Sequence, residues 1–274
     1  MMSALKNKLK YYLGLILLRL DSRSYHSLSI DGITIDSHLN LRKRIIRYAI
    51  LKKVEKQQDY NRLSALHTNY WKNRGYDFFR TSSDKFVHEF LPNYKFIFDL
   101  LKQKLSEDNI EYNTLVEIGS GNGKALNYLS QNLSGIKTFI GLDLSEHQVE
   151  SNNETYKSNN NLKFIAVDGF KWIKEYTRSN TIVVTMGGVL EYFTQQQIKE
   201  LLTVLKNLEH IQIITIEPVS NDQKVTDEKS IIFSPERTFS HNYYYLFQKA
   251  GFKIWHYSKK QCDSYTMIYM GASN

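Results

Sequence analysis

Cysteine is nearly missing from this chain: Cys262 stands alone among 274 residues. One thiol cannot build an intramolecular disulfide framework, and its rarity fits a reducing compartment. Cys/His clusters at ligand spacing are missing too, so no metal site is expected. The apolar run nearest the N-terminus, Tyr11 to Leu18, is interrupted by Arg19. It is far short of the ~20 residues that a membrane-spanning helix needs. Arg19, Asp21 and Arg23 occupy the place where a signal peptide would carry small residues for cleavage. No internal repeat is present, and the one compositionally biased stretch is asparagine-rich, around Ser151 to Asn161. What remains is an ordinary globular balance, 42% apolar and 23% charged, at a length that allows a sizeable core.

The net charge of +8 is unevenly placed. Residues 1–110 hold 20 Lys/Arg against 11 Asp/Glu, and residues 111–274 hold 16 against 17. A basic N-terminal part attracts nucleic acid, anionic lipid or an acidic substrate, and charge alone does not choose among them. Leu5, Leu9, Leu13, Ile16 and Leu20 form one helical stripe with Lys6, Lys8 and Lys10 beside it. That pattern suits a helix lying in a membrane surface, and equally a helix packed on the protein's own core. A second basic amphipathic stretch runs from about Leu41 to Leu66. An aromatic segment follows, over about 67–91, with Tyr70, Trp71, Tyr76, Phe78, Phe79, Arg74 and Arg80 as a candidate substrate lid. Aromatic faces with arginines suit an anionic substrate such as a sugar phosphate, or the core beneath the N-terminal helices. Pro92 opens a predicted helix through Lys104.

From Thr114 the pattern changes. Short β-rich runs at 114–118, 138–143, 163–167, 181–186 and 211–217 are separated by helical segments. Two of these segments carry capping boxes, Ser145 with Gln148 and Thr194 with Gln197. Alternating strands and helices imply a doubly wound, mostly parallel sheet. Runs at 252–258 and 264–270, joined by Lys259 to Asp263, read as an antiparallel hairpin closing one edge and bring the sheet to seven strands. The expected division is a helical basic extension over 1–91 and an α/β domain over 92–274.

The chemistry-bearing stretch is LVEIGSGNGKALNYL, Leu115 to Leu129. A phosphate loop would need glycine where Ile118 stands and a hydroxyl where Ala125 stands, so that reading fails. A dinucleotide loop needs its third glycine one residue beyond Gly123. Glu117, ending the first strand beside the loop, would also repel a pyrophosphate. A ligand carrying an ammonium and a sulfonium would be favoured by the same carboxylate, and the helix starting near Gly123 could accept a carboxylate at its N-terminus.

Acid, glycines and spacing together resemble the class I, Rossmann-like S-adenosylmethionine-dependent methyltransferases, over about Pro92 to Ala272. The resemblance implies S-adenosyl-L-methionine as cofactor, with Gly119, Ser120, Gly121 and Gly123 approaching its methionine part and Glu117 near its amino group. Asp143, in FIGLDLS, takes the position of an acid on the ribose hydroxyls, next to Leu144. Asp168, in FIAVDGF, takes that of a group reaching the adenine amino group, next to Gly169. Met186 begins MGGVLEYF, the segment lining the cofactor's reactive side.

Methyl transfer to a hydroxyl needs a base for its proton; transfer to an amine needs only the neutral amine. His241, in RTFSHNYYYLFQKAGF, is the leading candidate base, with Glu191 and Glu217 as alternatives. His67 and His88 read as structural, and Glu217-Pro218 as a strand terminator. MGGVLEYF has no proline, so the Asn/Asp-Pro-Pro-aromatic segment of amino-methylating enzymes acting on bases is missing, as is a Pro-Cys nucleophile. Nucleic acid is therefore a disfavoured acceptor. The expectation is O-methylation of a small molecule or a saccharide, including a lipid-linked or surface glycan, in the cytoplasm and at the inner membrane face. The rivals are an RNA methyltransferase using the basic N-terminal region, and a non-catalytic scaffold that keeps the cofactor fold. Oligomeric state is left open by the sequence.

Overall fold

Five apolar runs become parallel strands because a helix between each one and the next carries the chain back across the sheet. The computed structural model describes residues 2–31, 39–81, 84–224 and 226–274. It forms β1 (Thr114–Ile118), α6 (Lys124–Asn132), β2 (Thr138–Asp143), α7 (Glu146–Thr155), β3 (Leu162–Ala166), α8 (Gly169–Tyr176), β4 (Thr181–Met186), α9 (Gln195–Lys206) and β5 (Ile211–Val219). After these come β6 (Ile231–Phe233), β7 (Thr238–Ser240), α10 (Tyr243–Lys249), β8 (Lys253–Gln261) and β9 (Thr266–Ser273). Preceding them are α1 (Met2–Leu20), α2 (Ser22–Asp31), α3 (Leu41–Lys56), α4 (Tyr60–Thr81) and α5 (Lys95–Glu107).

Seven strands lie in the order β3-β2-β1-β4-β5-β9-β8, with β9 antiparallel to both β5 and β8. Strand β1 lies between β2, which follows it in the chain, and β4, to which the chain crosses back after β3, so the crevice at the carboxyl ends of these three strands is the switch point where such sheets bind ligands. Alternation along each strand feeds two cores. One holds Leu115, Phe139, Val184, Ile214 and Ile216. The other holds Val116, Ile118, Val183, Ile213 and Tyr243.

Several local expectations change. Thr194 and Gln197 cap α9 reciprocally, but Ser145 makes only the forward half of its box, because its own N–H donates to Asp143 Oδ1 (3.0 Å) instead of to Gln148. Pro92 does not open its helix. It lies inside a π-helical turn, Phe86–Tyr94, whose wide turns tolerate the missing N–H better than an α-helix interior. Gln58, at φ 54°, breaks the second basic stretch into α3 and α4. Strand β8 continues through Lys259–Gln261, where an edge strand's polar residues resemble a loop. Glu217-Pro218 does not end β5 either. Beyond Ile216, β5 pairs only with β9, so Pro218 costs the sheet no bond on its open side.

The chain divides into two units, Met1–Arg74 with Ile232–Thr238 and Gly75–Ile231 with Phe239–Asn274. In the first, Ile46, Ala49, Ile50, Leu51, Val54 and Leu63 are buried. Helix α1 lies close on α3, since a β-carbon on Gly14 would come within 2.5 Å of Ala49 Cβ. His67 is buried there too. Burial lowers its pKa to about 4, partly opposed by a hydrogen bond to the Arg237 backbone. No helix among the described residues is long and apolar enough to cross a membrane.

Candidate functional site

Directly after β1 the backbone turns through positive φ at Gly119, Gly121 and Gly123 (74°, 51° and 71°). The N–H groups of Gly119 and Ser120 donate to Leu142 O of β2 (2.8 and 3.0 Å), tying the loop to the switch point. Gly121 is the tightest position. A β-carbon there would sit 2.5 Å from Phe79 Cζ and would also have to adopt a left-handed backbone. Asn152 Nδ2 holds Gly121 O (2.7 Å), and Tyr156 OH donates to Asn122 O (3.1 Å). These two side chains belong to the asparagine-rich stretch, whose bias was the only sequence signal for them.

Two carboxylates flank the loop on one face of the sheet. Asp143 accepts from Gly121 N–H through Oδ2 (2.9 Å) and from Ser145 N–H through Oδ1 (3.0 Å). In this structure it therefore clamps the loop to the start of α7. Burial pushes its pKa up to about 6, against the pull of the Ser145, Gly121 and Leu144 N–H groups. Glu117 is buried (3% exposed), and its Oε2 has no hydrogen-bond partner. Burial first, and the neighbouring Asp143 second, hold its carboxyl well above the ordinary range. An unmatched buried acid beside a second acid is stabilised by a cation. Buried Ser120 likewise has an unpartnered hydroxyl.

The other sequence candidates have more local duties. Asp168 caps α8, its Oδ1 accepting from Phe170 and Lys171 N–H (2.9 and 3.3 Å). Gly169 is buried, and a β-carbon there would lie 2.5 Å from Ile118 Cγ2, so it lets α8 approach the end of β1. Leu144 and Met186 are half-buried, at the carboxyl ends of β2 and β4.

His241 is not placed as a base. It is fully buried, with Nε2 donating to Leu190 O and Phe193 O (3.2 and 3.0 Å) and Nδ1 meeting Ser230 Oγ (2.5 Å). Burial lowers its pKa to about 4, so the ring is neutral and neither nitrogen is left for a substrate. The expectation for the segment around it is a loop open toward the active face; in the structure Ser240 and Asn242 are buried as well, and Asn242 caps α10. His241→Ala should therefore act on stability, by ~3 kcal/mol, because two carbonyls lose their donor and a cavity remains. Urea unfolding checks this; unchanged stability with lost turnover would restore the catalytic role. Wild-type stability should also fall as pH drops from about 6.5 through 4, since the folded protein disfavours the protonated ring.

Glu217 occupies the end of β5, fully buried. Its Oε2 accepts from Val189 N–H (2.9 Å), while Oε1 has no hydrogen-bond partner. Burial raises its pKa to about 8. The Leu190 and Val189 N–H groups and the nearby Thr185 hydroxyl only partly offset this, and Glu191 adds to it. Tyr243 OH, also buried and without a partner, is raised by burial and by the charges of Glu217 and Glu191. Glu191 is half-buried, with Oε1 against Gly188.

The segment from Gly75 covers the glycine loop at three points. Tyr76 stacks on His147 of α7 (3.7 Å between ring centres), Phe79 lies over Gly121, and Asp84 pairs with Lys124 (2.5 Å). The aromatic segment therefore reaches the loop itself through Phe79, with Tyr76 on the neighbouring α7. The charge pair spans 40 residues and left no trace in the sequence. Among the described residues, no group of three or more His, Cys, Asp or Glu is placed to hold a metal.

Comparison with known proteins gives two findings. Residues 115–208 match a family described as a methyltransferase domain. Crystal structures of magnesium protoporphyrin IX methyltransferase from Synechocystis PCC 6803 share the fold. The form with bound SAM is 16% identical, covering 77% of this chain and 97% of that one at a TM-score of 0.53. The form with bound SAH is 15% identical, covering 77% and 99% at the same score. No curated protein sequence matches the chain.

Proposed function

We propose that the chain is a class I S-adenosylmethionine-dependent methyltransferase and that it methylates a hydroxyl oxygen of a small molecule or saccharide. When bound, S-adenosylmethionine supplies an electrophilic methyl group on a sulfonium. The residues present fit that cofactor: Glu117 Oε2 is an unmatched buried acceptor for its ammonium, and the loop beside it turns through positive φ at Gly119, Gly121 and Gly123. Gly119, Ser120, Gly121 and Gly123 would hold the methionine part, with Asp143 and Leu144 on the ribose side, Asp168 and Gly169 toward the adenine, and Met186 near the reacting end.

The observation that carries the oxygen reading is Glu217. A hydroxyl acceptor must lose a proton as it is methylated, and a carboxylate with a pKa near 8 is matched to that work. An acceptor that is already a neutral amine needs no such base. Glu217 is positioned by the Val189 N–H and raised by burial and Glu191, with buried Tyr243 and half-buried Glu191 as the polar groups beside it. The small acceptor is supported by Tyr76, Phe79 and the Asp84–Lys124 pair, which narrow access to the loop against a bulky polymer.

Incubation with methyl-labelled cofactor and fractionated cell extract tests the reading. Label should enter ribonuclease-resistant small molecules or glycans, at a rate that rises with pH through about 8. Label in RNA would instead favour the rival that draws on the basic N-terminal region. No transfer, together with no cofactor binding, would leave only a scaffold role.

A further inference from the structure

Helix α1 is apolar on two faces. One face packs on α3 through Gly14. The other carries Leu5, Leu9, Tyr12, Leu13, Ile16 and Leu20, all exposed, Leu5, Leu9 and Leu20 by 70% or more. At 100° per residue these six fall within one stripe about a third of the helix wide. The same periodicity puts Lys8 and Arg19 along one border of the stripe and Lys6 and Lys10 along the other. An exposed apolar band between two rows of cations is the arrangement of a helix that lies in a lipid interface.

Beside it, within the same unit, is a cavity of about 410 Å³. Leu15, Leu18, Ile50 and Val54 give it apolar walls, Ile50 and Val54 being fully buried. Arg19, Lys53 and Arg62, all exposed, are its cations, and Arg62 also donates to Tyr25 OH (2.7 Å). No carboxylate is among the lining residues. Nearby Glu55 is engaged by Lys52 and Arg237, and Asp21 by Arg42. Arg19 belongs both to the cavity and to the border of the stripe.

We propose that this unit docks on anionic membrane: the exposed stripe of α1 enters the lipid interface, and the cavity between α1, α3 and α4 receives the phosphate of an anionic lipid on Arg19, Lys53 and Arg62. Charge complementarity selects this occupant. A second copy of the same basic surface would bring like charges together, and a neutral bilayer would leave the three cations unmatched. The inference is independent of which acceptor is methylated.

Co-sedimentation of the full chain with phosphatidylcholine vesicles, with and without phosphatidylglycerol, tests it. Anionic vesicles should bind at least ~10-fold better than neutral ones. Lys53→Glu and Arg19→Glu should each reduce that binding ~5- to 20-fold, because each reverses one cation at the surface. Leu9→Asp with Ile16→Asp should abolish it, with circular dichroism and cofactor binding unchanged. Equal, weak binding of wild type to both vesicles overturns the proposal, as does full binding by the double variant. Inorganic phosphate at matched ionic strength should not replace the vesicles. A phosphate-dependent thermal shift that Lys53→Glu removes, without vesicle binding, would mark a free-anion site and overturn the lipid reading. A dimer that Ile16→Asp dissociates, or RNA binding in preference to anionic vesicles, would overturn it too.

Discussion

Glu217→Gln should cut turnover by ~10²-fold or more while leaving cofactor affinity nearly unchanged, because the amide keeps the side chain's shape but cannot take a proton. Stability should move the other way. The folded protein holds Glu217 near pKa 8, whereas an unfolded carboxyl titrates near its ordinary 4.5. Between those values the folded state binds the extra proton, so wild-type stability is full below about 4.5 and declines as pH rises through 8. The variant has no such titration. It should therefore be less stable than wild type near pH 4.5, where the amide's own unmatched N–H groups count against it, and exceed wild type at pH 8 by on the order of 2 kcal/mol. Activity lost and stability gained at one position is the signature of a residue kept for chemistry. Urea unfolding at the two pH values, with single-turnover rates, checks both halves. A variant that turns over normally would remove Glu217 as the base. One that is destabilised at pH 8 would make it a structural anchor of the Val189 turn.

The cofactor side of the site was far more legible in the sequence than the acceptor side, for physical reasons. A loop that turns through positive φ three times must be written in glycine, and a strand-end acid beside it narrows the ligand by charge alone; Gly119, Gly121, Gly123 and Glu117 are local facts. Strand-helix alternation likewise fixes sheet topology through short-range periodicity. Acid-base character is not local. His241 and Glu217 differ because residues distant in sequence exclude water from both while leaving only one with an unmatched atom. Pro218 misled for a related reason: whether a strand tolerates proline depends on which side still has a neighbour. Asp143 was placed correctly at a strand end, but its clamp on Gly121 N–H depends on loop geometry that spacing does not encode.

Glu117→Gln should weaken S-adenosylmethionine binding ~10- to 100-fold, since a charge-assisted hydrogen bond to the ammonium becomes a neutral one. Without cofactor the variant should be more stable than wild type at neutral pH. Burial and Asp143 raise the wild-type pKa, so the stability this group contributes is full at acid pH and is lost as pH rises through its folded value. The two effects should cross: wild type gains more from saturating cofactor than the variant does, and thermal melts with and without ligand display the difference. Equal affinities would place the ammonium elsewhere. Asp143→Asn is the informative companion, because it removes the second charge, while its single amide oxygen can accept from only one of the Gly121 and Ser145 N–H groups.

Calorimetric titration of the full chain with S-adenosylmethionine tests the central claim most directly, run in two buffers of different ionisation enthalpy. One molecule should bind per chain, with protons released to the buffer at a pH where Glu117 is still protonated in the free protein, because the arriving ammonium draws its carboxyl back toward the ordinary range. A chain that gives no saturable heat would contradict the claim that the glycine loop and its buried acid form a cofactor site.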